Sequence, residues 1–212
     1  EEKNDSEFSK KLARFGDIFV NDAFGTAHRA HASTDGVPRS FEVAASGFLI
    51  DKELEFLGDT VSSPKTPFVA IMGGAKVKDK IKVLHNLLPI VDKLIIGGGM
   101  TYTFFKAQGM EIGDSLLDSD SIDFAKEMLE KYADKILLPT DSLITNSLNF
   151  DEKTLGETKN HLKGDFPEGW EGVDIGAETI DKFSDGILNA KTVLWNGPMG
   201  VFEIEASSKG TM

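Results

Sequence analysis

A parallel α/β sheet covered on both faces is the fold class this 212-residue sequence predicts, and three observations predict it. Short runs, Phe68–Met72 (FVAIM), Lys93–Ile96 (KLII) and Thr192–Trp195 (TVLW), read as strands, the first being a continuous apolar run of the kind expected for a buried strand of a parallel sheet. Between them lie stretches whose apolar residues recur three and four apart, the period of an amphipathic helix. Each run also ends on glycine: Gly73-Gly74, Gly97-Gly98-Gly99 and Asn196-Gly197-Pro198-Met199-Gly200. Strand, glycine turn and helix in alternation indicate a Rossmann-like parallel sheet with helices on both faces.

Taken in order, Phe8, Leu12 and Phe15 mark a short helix that Gly16 stops. Asp17–Asp22 is a brief strand. Ile50, Leu54, Leu57 and Val61 mark a helix over Phe48–Val61. The break Ser62-Ser63-Pro64, with Pro67 beyond, is the best domain boundary in the chain. After Phe68–Met72, the apolar positions Val77, Ile81, Leu84 and Leu88 predict a helix that ends at Pro89 and carries Lys76 and Lys80 on its first turns. A helix follows from Met100 to Gln108, then a loop over Glu111–Leu117 and a helix over Ile122–Tyr132. Ile136–Ile144 reads as one strand only partly paired because of Pro139. Asn146–Gly172 reads as a long polar loop anchored by Trp170. A helix over Thr179–Leu188 and the strand Thr192–Trp195 complete the pattern.

With 23 Lys and Arg against 35 Asp and Glu the net charge is −12, which argues against a nucleic-acid or anionic-membrane surface. An anionic ligand then depends on where the few cations gather. There is no cysteine, so no disulfide framework and no thiolate metal site. No apolar run approaches the ~18 residues that span a bilayer, no signal peptide is visible, and a cytoplasmic protein is the simplest expectation. The chain begins Glu1-Glu2-Lys3 and closes on Gly210-Thr211-Met212 shortly after a strand, which suggests a piece of something larger.

Two stretches carry chemistry. A glycine turn, a helix N-terminus with free N–H groups and the ammonium groups of Lys76 and Lys80, four residues apart, make a place for a phosphate. It is neither GxxxxGK[ST] nor GxGxxG, and an ordinary β-α turn with solvated lysines has the same pattern. In Ala23–Ser33 (AFGTAHRAHAS), His28 and Arg29 suit a carboxylate or phosphate; a surface loop whose histidines cap turns is the alternative. No third ligand stands at metal spacing beside His28 and His31, so no metal site is expected. In an open parallel sheet, ligands bind beyond the carboxyl ends of the strands, where the three glycine turns fall.

Together the stretches NDAFGTAHRAHAS (21–33), GFLIDKELEFL (47–57), FVAIMGGAKVKDKI (68–81), KLIIGGGMTYTF (93–104), LLPTD (137–141), GWEGVDIG (169–176) and TVLWNGPMGVFE (192–203) closely resemble the phosphoglycerate kinase family, over essentially the whole chain and in order. The resemblance implies a two-lobe hinge kinase, incomplete here at both ends. Residues 1–47 would be a remnant of the phosphoglycerate lobe, 48–62 the connecting helix and 63–212 most of the nucleotide lobe. It implies reversible phosphoryl transfer between 1,3-bisphosphoglycerate and ADP, giving 3-phosphoglycerate and ATP with Mg2+. His28 and Arg29 would meet the phosphoglycerate. Gly74, Ala75, Lys76 and Lys80 would meet nucleotide phosphates, with Lys76 and Lys80 as the catalytic cations. Gly98, Gly99, Gly172 and Val173 would line the adenine pocket. Asn196 would meet phosphates or ribose, Gly197, Pro198 and Met199 would frame the nucleotide, and Glu203 would accept from the ribose hydroxyls.

Family segments that complete the phosphoglycerate pocket would precede Glu1, and a Gly-Gly-Gly-Asp segment whose Asp faces Mg2+ would follow Met212. The expectation is that this chain alone lacks kinase activity, binds nucleotide weakly if at all and is prone to self-association, while the whole enzyme is a monomer. A non-catalytic nucleotide-binding or scaffold fragment is the alternative. A dinucleotide module is disfavoured by the absence of GxGxxG and its acidic ribose partner.

Overall fold

The computed structural model describes residues 1–212 apart from the side chains of Asp59 and Thr60. The chain divides into two compact units, Glu1–Pro64 and Lys65–Met212.

In the first unit, α1 (Ser6–Ala13) starts where the Asp5 carboxylate accepts the Phe8 N–H at 2.8 Å, an ordinary N-cap. Strand β1 (Phe19–Asn21) pairs in parallel with β2 (Ala44–Ser46). Asp22, just past β1, accepts the N–H groups of Leu49 and Ile50 at 2.7 and 3.0 Å and so caps α2 (Phe48–Ser62) from a distance in sequence. Phe15, Ile18, Phe48 and Leu54 are exposed in this unit.

The second unit is built on a four-stranded parallel sheet. Its strands are β3 (Phe68–Met72), β4 (Lys93–Ile96), β5 (Ile136–Leu137) and, from the far end of the chain, β11 (Thr192–Asn196), in the order β11-β3-β4-β5. Side chains of a strand alternate between faces, and here the alternation sorts the core. Phe68, Ala70 and Met72 of β3, with Leu94 and Ile96 of β4, pack under α3 (Ile81–Leu87), α4 (Met100–Ala107) and α5 (Ile122–Lys131). Val69, Ile71 and Ile95 point the other way, against Phe183 and Ile180 of α6 (Ala177–Leu188). Both faces are covered at β3 and over most of β4, whereas the edge strand β11 leaves Val193 and Trp195 43% and 48% exposed.

Three readings of the sequence are corrected. Helix α3 begins only at Ile81, so Lys76 and Lys80 do not stand on its first turns. Val77 is fully buried and the Lys78 N–H donates to the buried Asp118 carboxylate at 2.8 Å, which draws the segment after Gly74 away from a helical path. Ile136–Ile144 is two strands in two sheets: β5 ends at Leu137, and β6 (Asp141–Thr145) starts after Pro139, which has no N–H to continue the ladder. The segment Asn146–Gly172 is not a loop. It holds the hairpin β7 (Leu148–Asn149) and β8 (Thr154–Leu155), then β9 (Thr158–Leu162) and the start of β10 (Glu171–Ile175). Strands β10-β6-β9 form an antiparallel sheet.

Helix α6 is tied to that sheet. Its N-cap, Gly176, has no side chain to offer, and the buried Asp141 of β6 accepts the Thr179 N–H at 2.8 Å instead.

Candidate functional site

The strand order sets the three glycine turns side by side, and they are fastened backbone to backbone. The Gly73 N–H donates to Asn196 O at 2.9 Å, Gly74 N–H to Pro198 O at 3.0 Å, and Gly98 N–H to Met199 O at 2.9 Å. A Cβ on Gly73 would lie 2.0 Å from Pro198 O, and one on Gly197 would lie 2.4 Å from Gly73 O. These glycines let the turns approach one another, a role the sequence alone does not distinguish from approach to a ligand. Gly74 is different. Its φ of +111° favours glycine, and a Cβ there would meet nothing within 4 Å.

That open space is a cavity of about 300 Å³. Gly74 and Ala75 reach it from β3, Gly98 and Gly99 from β4, and Pro198, Met199 and Glu203 from the segment after β11. Gly172 and Val173 of β10 line it as well. The ladder to β6 shifts register between Gly172 and Asp174, a bulge of the kind that re-aims a side chain beside a site. Val173 O in turn accepts the Val201 N–H at 2.8 Å, fastening β10 to the turn after β11. Most of the predicted nucleotide residues therefore meet at one place.

Sequence reasoning missed the rest of the wall. Tyr102, Asp114, Leu116, Leu148, Phe150 and Glu171 also line the cavity, as do Gly200 and Val201. Tyr102 sits in the quoted stretch KLIIGGGMTYTF, and its ring lies where a Gly172 Cβ would be, 2.0 Å from Tyr102 Oη. Leu148 and Phe150 come from the β7–β8 hairpin, which no periodicity announces.

Lys76, Lys80, Asn196 and Gly197 stand outside that lining. The Lys80 ammonium donates to the Asn196 side-chain oxygen, linking the start of α3 to the end of β11. Lys76 is exposed on the turn that continues from Ala75. Among the described residues the N–H groups of Ala75 and Lys76 donate to nothing, unlike those of Gly73 and Gly74. Asp118, 7% exposed, holds this turn by accepting from Lys78 N–H and, at 2.9 Å, from Ser121 Oγ.

Glu171 in the cavity wall and Asp174 behind it are perturbed. Burial, with the Asp114 charge added, pushes Glu171 above the usual carboxylate range. Asp174, 2% exposed directly behind Val173, is pushed up to about 6 by burial although it accepts N–H bonds from Gly210 and Ile175, each at 2.9 Å. Burial first, and the Asp174 charge second, keep the Tyr102 phenol protonated.

His28 and Arg29 lie in the first unit, on the exposed segment that follows β1. The Arg29 N–H donates to Thr26 O at 3.0 Å, and Thr34 Oγ1 donates to Arg29 O at 2.5 Å, so the backbone of this segment is held while both side chains are free to reach a ligand.

The family model for phosphoglycerate kinase matches residues 1–212. The chain belongs to the phosphoglycerate kinase family. Phosphoglycerate kinase of Lacticaseibacillus casei (strain BL23) is 51% identical over 212 residues, all of this chain and 52% of that protein. The Staphylococcus aureus (strain JH9) protein is 54% identical over 212 residues, again 52% of its length. Among solved structures, phosphoglycerate kinase from Coxiella burnetii superposes with a TM-score of 0.83 at 41% identity, covering 100% of this chain and 54% of that one. The Pyrococcus horikoshii OT3 enzyme gives 0.81 at 31% identity, covering 95% and 51%. The chain thus spans about half the length of the curated relatives it matches. The part of a phosphoglycerate kinase seen here includes the parallel sheet flanked by helices that the sequence predicts.

Proposed function

We propose that the whole protein transfers a phosphoryl group between 1,3-bisphosphoglycerate and ADP, giving 3-phosphoglycerate and ATP in glycolysis, and that the cavity beyond β3, β4 and β10 receives the nucleotide. The observation that carries this is the pairing of one cavity, largely glycine and apolar, with cations beside it on the turn leading out of Gly74. A flat base fits between Gly98-Gly99 and Gly172-Val173, and the Glu203 carboxylate accepts from ribose hydroxyls. The phosphates then point toward Lys76, Lys80 and the uncommitted N–H groups of Ala75 and Lys76. Asn196 holds Lys80 in place, and Gly197, Pro198 and Met199 frame the nucleotide.

Phosphoryl transfer asks the protein chiefly for positioning and for neutralisation of charge spread over the transferred group. Lys76 and Lys80 are the groups of this chain that do both. Mg2+ travels with the nucleotide; among the described residues no group of three His, Cys, Asp or Glu could hold a metal ion. His28 and Arg29 are proposed to meet the phosphoglycerate, where a guanidinium offers a bidentate fork. Because the chain spans about half of its relatives' length, turnover is proposed for the whole protein and not for these residues alone.

Isothermal titration of MgADP into the folded chain, beside Lys76→Ala and Glu203→Gln, tests the placement. Saturable binding that weakens in both variants supports it. Equal saturable binding by all three proteins, or no heat at millimolar ADP from the whole protein with intact circular dichroism, overturns it.

A further inference from the structure

A second cavity, of about 260 Å³, lies along β5, the free edge of the parallel sheet, and shares no lining residue with the first. Its walls are apolar where α5 and the β5–β6 link pass. Its polar groups are Gln108 at the end of α4, Thr140, Lys163 just after β9, and Lys182 on α6. No carboxylate lines it, although the chain holds 35 acidic residues against 23 basic ones. Neither lysine has an ion-pair partner among the described residues.

Lys163 is held there. Its backbone N–H donates to Thr140 O at 2.8 Å, and its ammonium stands 5.4 Å from the centroid of the Phe105 ring. Lys163 and Lys182 are both exposed residues; partial desolvation of the Lys163 ammonium, then the charge of Lys182, lowers its affinity for a proton below that of an ordinary lysine. Two unpaired cations lining one open pocket repel each other, and an anion between them adds attractions that outweigh that repulsion. A carboxylate would neutralise one of them. A phosphate dianion neutralises both, and its remaining oxygens can accept from the Thr140 hydroxyl and the Gln108 amide.

We propose that this cavity binds a phosphate group, as inorganic phosphate or as a small phosphomonoester, between Lys163 and Lys182. The site is separate from the nucleotide cavity and does not depend on the reading given to that cavity.

The test is a titration of the folded chain with inorganic phosphate at ionic strength held constant with sodium chloride, following the Lys163 and Lys182 side-chain signals by NMR. Expected are a saturable shift of both signals, a rise of the Lys163 ammonium pKa toward the ordinary lysine value, and affinity lower by about tenfold in Lys163→Gln and in Lys182→Gln. MgADP binding by the two variants stays unchanged. A parallel arm with glycerol 3-phosphate assigns the ligand: tighter binding of the ester supports a phosphomonoester, and tighter binding of phosphate supports the free ion. A shift that does not saturate, that chloride reproduces, or that both variants retain at full affinity overturns the proposal.

Discussion

The Lys80 ammonium donates to the side-chain oxygen of Asn196, a residue 116 positions further along the chain. The bond ties the turn that precedes α3 to the end of β11, so the cation beside the cavity is aimed by a strand from the far end of the sequence. The pair is largely solvent-exposed and contributes little to stability. Replacing either residue by Ala should leave the melting temperature within about 3 °C of the parent. MgADP affinity should fall about tenfold in Lys80→Ala, and by less in Asn196→Ala, where the cation remains but is no longer held. A double variant no worse than Lys80→Ala would show that Asn196 acts through Lys80; additive losses would show an independent contact.

Asp118 holds the same turn from beneath. Asp118→Ala leaves the Lys78 N–H and the Ser121 hydroxyl without their buried acceptor, at a cost of about 1–3 kcal/mol. Because the Lys76–Lys80 turn loses its tether, nucleotide affinity should drop together with stability. Urea unfolding and MgADP titration of the variant check both effects. Loss of stability with full affinity would show that the turn keeps its place without Asp118.

Gly172→Ala puts a methyl 2.0 Å from Tyr102 Oη and 2.1 Å from Cζ. The buried ring must move, costing about 1–3 kcal/mol, and it moves where it lines the cavity. Tyr102→Phe should not rescue Gly172→Ala, since the ring carbon clashes as closely as the hydroxyl. Tyr102→Ala in the double variant should relieve the clash while opening a hole in the core. Differential scanning calorimetry of the four proteins separates these cases.

Asp174 gives a pH dependence of defined sign. Its folded value, about 6, lies above the usual 3.8, so between those values the folded state holds more proton than the unfolded one. Stability from this group therefore falls as pH rises from about 4 to about 6, by on the order of 3 kcal/mol. Asp174→Asn removes that slope, although its amide can accept only one of the two N–H groups that the carboxylate accepts now. Urea unfolding of both proteins at pH 4, 5, 6 and 7 reads the difference in slope. Equal slopes would place the titration elsewhere.

Much of the sheet is legible locally. Phe68–Met72 and Leu94–Ile96 are apolar because both their faces are covered, and the glycines that follow them mark where the chain turns. Helix α5 follows from its 3.6-residue period, and α4 and α6 lie within a few residues of their expected spans. The antiparallel sheet is not legible in this way. Thr158–Leu162 (TKNHL) is polar and mostly exposed, and its strand exists because β6 offers it a backbone partner. Helix α3 begins late for a similar reason, since Asp118, distant in sequence, competes for the backbone of its expected first turn.

By itself, then, the sequence determined the parallel strands, most of their helices and the three glycine turns at one edge, and its motifs pointed to the family. All of these depend on residues within a few positions of one another. Only the tertiary structure decided which glycines face a cavity and which face each other, that Leu148, Phe150 and Glu171 complete the wall, and that Asn196 aims Lys80. Those are contacts between segments far apart in the chain, and periodicity carries no information about them.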